Sequence, residues 1–203
     1  MRARNDESPE RDESRNDMKS VLRSNAGYSL MEVMVTLGII GVLAGAAIIV
    51  MPGLMKQSRA DGTVAQALNT LRLARDRAIG ERRNFEVRFL STNRIQVARQ
   101  EIPGPATTIV SDIYLENGQS FLKFSTLGDT PDAFGGSSAV SFGVTPRQMF
   151  TSEGTFVDSV GDTVNGTVFL GTAGELTSAR AITFFGPTAL LKVWRWNGSK
   201  WTE

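Results

Sequence analysis

From Val33 to Met51 the chain runs without a charge, VMVTLGIIGVLAGAAIIVM, and Thr36 is its one conspicuously polar residue. As a helix this stretch is about 28 Å long, close to the hydrocarbon thickness of a bilayer. A buried helix of a soluble protein has a similar composition but more often keeps a polar face, so the pattern favours a membrane span. Gly38, Gly41 and Gly45 suit close helix–helix packing in lipid. Pro52 and Gly53 predict a kink or short break. Polarity then returns, with Val64, Ala67, Leu68, Leu71, Ala74 and Ala78 on one face and Arg72, Arg75 and Asp76 largely off it, which predicts an amphipathic helix laid on a domain, with Gly80 as a plausible stop.

Beyond residue 84 the period changes to two. In NFEVRFL, Phe85, Val87 and Phe89 alternate with Glu86 and Arg88, predicting a strand with the apolar set inward and the charges outward. Ser91-Thr92-Asn93 turns the chain into RIQVAR, giving a hairpin. TTIVSDIYL, QSFLKFS, SAVSFGV, GTVFLG, AITFF and ALLKVWRW are further strand candidates, and residues 128–138 read as a mobile loop. Asn197-Gly198 predicts a two-residue type I′ turn that would set Trp194 opposite Trp201 and Arg195 opposite Lys200. The expected class is α+β: a long N-terminal helix packed on a C-terminal antiparallel sheet or sandwich.

Composition narrows the chemistry. The 203 residues hold neither cysteine nor histidine, which excludes disulfides, zinc sites built on those residues, and Ser-His-Asp or Cys-His nucleophiles. Basic and acidic residues balance to a net charge of +1, so no global field draws the chain to nucleic acid. Residues 1–26 are dense in both charges and read as disordered. Lys19 and Arg23, nearest the apolar run, favour a cytoplasmic N-terminus.

One carboxylate, Glu32, stands at the start of the apolar run, behind the small residues Ala26 and Gly27. Cleavage at those small residues would leave the apolar segment on the mature chain, the reverse of a secretory signal peptide. Gly27-Tyr28-Ser29-Leu30-Met31-Glu32 resembles the prepilin cleavage motif of type IV pilins and type II secretion pseudopilins, with Tyr28 where Phe is usual. LARDRAIGERRNFEVRFL and the C-terminal AITFFGPTALLKVWRWNGSKW resemble the GspH/FimT group within that superfamily.

The resemblance implies that prepilin peptidase cuts between Gly27 and Tyr28 and that the new N-terminus at Tyr28 is methylated. It assigns Glu32 an assembly role, pairing with the Tyr28 α-amine of a neighbouring subunit to set register; a carboxylate snorkelling to the interface is the plainer alternative. The implied division is a cleaved leader (1–27), a transmembrane and filament-core helix (28–51), an amphipathic helix (52–83) and a periplasmic β-rich domain (84–203). The implied protein is a single-pass inner-membrane minor pseudopilin of type II protein secretion, not an enzyme, needing no cofactor or metal. Its implied partners are prepilin peptidase, other pseudopilins or pilins, an inner-membrane assembly platform, and membrane lipid before assembly.

A minor type IV pilin that serves pilus biogenesis or binds DNA for uptake is the alternative. Arg180, Lys192, Arg195 and Lys200 are its candidate contacts, with Trp194, Trp196 and Trp201 able to stack on bases. The near-balanced charge favours instead a solvated hairpin with core tryptophans. Asp129 with Asp132, and Asp158 with Asp162, could be proposed as carboxylate or calcium pairs, but turn aspartates are the default in such loops. The basic run Arg72, Arg75, Arg77, Arg82 and Arg83 is explained by the helix C-terminal dipole and by pairing with Asp76 and Glu81.

Overall fold

A computed structural model describes residues 27–143 and 147–203; the charged leader, 1–26, lies outside the described residues. The described chain divides into two units, one ending at Met51 and the other Pro52–Glu203. Helix α1 runs from Leu30 to Glu81 and passes through Pro52 and Gly53, where a kink or a short break was expected. Proline deletes one backbone donor but keeps a helical φ, so a single lost bond need not end the helix. The stop comes at Glu81, one residue after Gly80. Arg82 adopts a left-handed φ of 50°, and the Arg83 N–H donates to the Ala78 carbonyl at 3.2 Å. That is a Schellman closure with arginine in the place glycine usually fills.

Within the second unit the apolar stripe of α1 is Ala60, Val64, Ala67, Leu71, Ala74 and Ala78, all buried. The four alanines keep this face low and let the sheets approach closely. Among the described residues eleven strands follow: β1 Phe85–Leu90, β2 Arg94–Gln100, β3 Thr107–Tyr114, β4 Ser120–Phe121, β5 Val140–Ser141, β6 Gln148–Phe150, β7 Phe156–Asp158, β8 Gly166–Thr172, β9 Glu175–Phe185, β10 Leu190–Trp196 and β11 Trp201–Thr202. They build two antiparallel sheets. The first has the order β3-β2-β1-β6-β7. The second has the order β11-β10-β9-β8-β4, with β5 also paired to β8. The observed class is α+β, a long helix followed by antiparallel sheets.

The main core lies between the helix stripe and the two sheets. It joins Leu71 and Ala74 to Phe85, Val87, Ile95 and Val97 of the first sheet and to Val168, Leu170, Ile182 and Phe184 of the second. Phe184 is the hub: its ring lies 4.8 Å from Phe142 and 4.9 Å from Phe156. Such ring pairs contribute roughly 0.5–1.5 kcal/mol beyond the area they bury.

Glu86 departs from the alternation. It was expected in solvent and is 2% exposed, held by a double hydrogen bond from the Arg88 guanidinium at 2.9–3.0 Å and approached by Arg147 at 3.6 Å. The two guanidiniums neutralise the carboxylate, which is how a charge stays on a sheet face and leaves solvent.

The segment 128–138 forms no strand, but it is anchored rather than loose. The Asp129 carboxylate accepts from the Thr130 and Gly135 N–H groups at 2.7 and 2.8 Å. Asp132 accepts from the Thr183 hydroxyl at 2.6 Å and the Trp194 indole at 3.0 Å, and the Trp201 indole donates to the Gly128 carbonyl at 3.0 Å. Leu127 beside it packs with Phe169, Ala179, Ala181, Trp194 and Trp201 as a second cluster. These residues alternate with the main-core residues of β8–β10, so the loop covers the outer face of the second sheet.

Candidate functional site

The first candidate is the N-terminal segment. Gly27, Tyr28 and Ser29 precede α1, and the Ser29 carbonyl accepts from the Glu32 and Val33 N–H groups at 3.0 and 3.1 Å, opening the helix. Ser29 and Glu32 thus occupy the spacing of a capping box, and the negative charge sits in the first turn, where the helix dipole favours it. The span Leu30–Ile48 is long and apolar enough to cross a membrane, and none of it is buried. Tyr28 is 82% exposed and Met31 75%. Glu32 makes no ion pair or side-chain hydrogen bond among the described residues. A carboxylate without a partner therefore stands four residues beyond Tyr28, at the head of an uncovered apolar helix.

The second candidate is the basic set on β9–β11, and the structure does not bring it together. Arg180, expected at a nucleic-acid surface, is 1% exposed. Its phase in β9 matches Ile182 and Phe184, which face the main core. There its Nε donates to Asp61 of α1 at 2.6 Å, and its Nη1 donates to the Thr177 and Ala179 carbonyls at 2.9 Å each. Arg195, directly opposite Arg180 in the ladder, lies 3.9 Å from the same Asp61 and donates to the Gln57 side chain at 3.0 Å.

Asp61, which the sequence reading passed over, thus separates two like charges that would otherwise repel across the strands. The signal for it was the in-phase run Arg180, Ile182, Phe184, which places a cation in the interior and demands a counter-ion.

Lys192 lies on the other face of β10, 3.6 Å from Asp132 and over the Trp194 ring. Lys200 sits exposed in the β10–β11 turn. Trp194 and Trp201 are each 8% exposed and packed in the outer cluster, so neither offers a free face for a base.

The C-terminal hairpin itself has a different register from the expected one. Trp196 pairs with Trp201 and Arg195 with Thr202, leaving residues 197–200 as the loop. The Asn197 side-chain oxygen accepts from the Ser199 and Lys200 N–H groups at 3.0 and 2.9 Å and takes over the turn, and only Gly198 of the pair has a positive φ, 101°.

The carboxylate pairs resolve as turn ligands. Asp158 Oδ1 accepts from the Val160, Gly161 and Asp162 N–H groups at 2.9–3.1 Å. The basic run at the end of α1 meets Glu81 and Glu101: Arg77 lies 3.9 Å from Glu81, and Arg99 of β2 bridges both acids. A hydrogen bond from Thr108, reinforced by Arg99 and Arg83, holds the Glu101 carboxyl below its ordinary range. Arg94 does the same to Asp112 on β3.

Comparison with known proteins bears on the first candidate. Residues 22–48 match the family model of the prokaryotic N-terminal methylation motif. No curated protein matches the chain. Among solved structures, the minor pseudopilin EpsH from the type 2 secretion system of Vibrio cholerae is similar at 14% identity and a TM-score of 0.44, over 68% of this chain and 97% of that one. The match places Gly27, Tyr28 and Glu32 inside a segment similar to the prokaryotic N-terminal methylation motif.

Proposed function

We propose that this protein is a minor pseudopilin, a structural subunit of a short periplasmic filament in type II protein secretion, and not an enzyme. The observation that carries the reading is the methylation motif on an apolar helix whose one carboxylate has no partner among the described residues. Prepilin peptidase cuts after Gly27, Tyr28 becomes the methylated N-terminus, and the helix anchors the chain in the inner membrane until assembly. The N-terminus faces the cytoplasm and the β-rich domain the periplasm. In the filament, Glu32 of one subunit pairs with the Tyr28 α-amine of the next. An unpaired carboxylate costs on the order of 2.5–3.5 kcal/mol at the centre of a bilayer and less near the interface where Glu32 stands, so pairing favours assembly and fixes axial register.

The test is a Glu32→Ala variant expressed with its native partners. It should insert and be cut normally, yet its cross-linked oligomers should fall severalfold. Oligomers at the level of the unsubstituted protein would refute the register role. The alternative, a minor pilin that binds DNA, loses support from the placement of its contacts, since Arg180 is interior and Lys192 and Arg195 lie on opposite faces of β10.

A further inference from the structure

The sequence holds three Asn-Gly pairs, at 117–118, 165–166 and 197–198, and the structure treats them very differently. Asparagine before glycine is prone to a self-contained reaction. The glycine N–H loses its proton and its nitrogen attacks the asparagine Cγ; the side-chain amide leaves as ammonia, and a succinimide forms. Water then opens the ring to aspartate or, through the other carbonyl, isoaspartate. The step needs only water, a side chain free to turn its Cγ toward the next nitrogen, and a glycine nitrogen not locked in a ladder.

Asn165 fails that requirement. Its Oδ1 accepts from the Gly186 N–H at 2.8 Å, and Gly166 opens β8, so crowded that a Cβ there would lie 2.4 Å from the Ser141 carbonyl oxygen. Asn197 is held too, its Oδ1 accepting from the Ser199 N–H, the Ser199 hydroxyl and the Lys200 N–H at 2.9–3.0 Å. Asn117 is the contrast. It sits exposed at the tip of the turn between β3 and β4, with φ of 58° at Asn117 and 74° at Gly118. Its side chain makes no hydrogen bond among the described residues, and nothing of another element lies closer than 4.0 Å to the space above Gly118.

We infer that Asn117 is a site of non-enzymatic deamidation, the one Asn-Gly pair of the three that the fold leaves reactive. The product places a new carboxylate beside Glu116. In the isoaspartyl form it also adds a backbone atom to a turn closed by the Gln119 N–H on the Glu116 carbonyl at 3.0 Å, a carbonyl that Thr63 of α1 also approaches at 3.4 Å. The modification therefore falls where the β3–β4 turn rests on the helix.

The experiment incubates the full chain in detergent micelles at mildly alkaline pH and follows each Asn-Gly peptide by mass spectrometry with isoaspartate detection. Conversion at Asn117 should outpace that at Asn165 and Asn197 by roughly tenfold or more, the effect of their having to give up one or more hydrogen bonds first. In concentrated urea the three rates should converge to within a few fold. Faster conversion at Asn165 or Asn197 in the folded chain would overturn the inference. So would an inert Asn117, or a rate order unchanged by unfolding.

Discussion

Replacing Asp61 with alanine strands the Arg180 guanidinium in the interior. Arg180 is 1% exposed; among the described residues its Nη2 is buried without a hydrogen-bond partner, and its short bond to Asp61 is its one contact with an anion. A hydrogen bond to a charged group contributes roughly 1.5–3 kcal/mol, and an uncompensated buried charge costs about 3–5 kcal/mol. The Asp61 side chain is 47% exposed, so water recovers part of the loss and the expected cost falls to about 1–3 kcal/mol. With a urea m-value of about 2 kcal/mol/M, the midpoint should drop by roughly 1 M.

The comparison that isolates the mechanism is Arg180→Met. It removes the charge along with the need for a partner and leaves Asp61 beside Arg195, so it should cost under about 1 kcal/mol. The assay is urea unfolding of the full chain in detergent, followed by the fluorescence of the buried Trp194 and Trp201. An Asp61→Ala midpoint within error of the parent, or a larger loss for Arg180→Met than for Asp61→Ala, would refute the reasoning.

Three further outcomes follow from the geometry. A cysteine pair at Arg195 and Thr202 should oxidise readily while one at Arg195 and Lys200 should not, because the former face each other in the ladder; the reverse result in a disulfide-trapping assay would restore the two-residue turn. Gly186→Ala would set a Cβ 2.7–2.9 Å from the Val164 backbone and should destabilise the domain by about 1–3 kcal/mol in the same urea titration; an unchanged midpoint would show that the β9–β10 turn can shift. Because Arg94 depresses the Asp112 carboxyl, whatever stability that bond gives is present above the ordinary aspartate value and fades as pH falls through the lowered one; NMR titration of Arg94→Gln should return Asp112 to the ordinary range, and no change would show the depression has another source.

The patterns that the fold reproduces are those set by periodicity over several turns or residues. The helix stripe ending at Ala78 and the alternation of Phe85, Val87, Ile95 and Val97 are repeated apolar signals, and each sits in the core as its spacing requires. Strands β6 and β7, three residues apiece, are too short to carry a period and exist because Phe150 and Phe156 fill the space beside Phe85 and Phe184. Where side chains replace backbone logic, local rules misplace residues. Asn197 closes its own turn and shifts the hairpin, Arg88 and Arg147 draw Glu86 out of solvent, and Asp129 and Asp132 pin a segment rich in loop residues.

The candidate site divides the same way. Gly27, Tyr28 and Glu32 form a contiguous motif readable from the chain. Lys192 and Arg195 are three residues apart in one strand, which puts them on opposite faces, so alternation alone separates them.

The identity of the protein's first residue after it reaches the membrane is the decisive observable. Intact mass and N-terminal peptide analysis of the protein from host membranes should find a chain beginning at Tyr28, bearing an N-methyl group and still retaining the apolar helix. A chain that begins at Met1, or one that has lost residues 30–48, would contradict the proposed function.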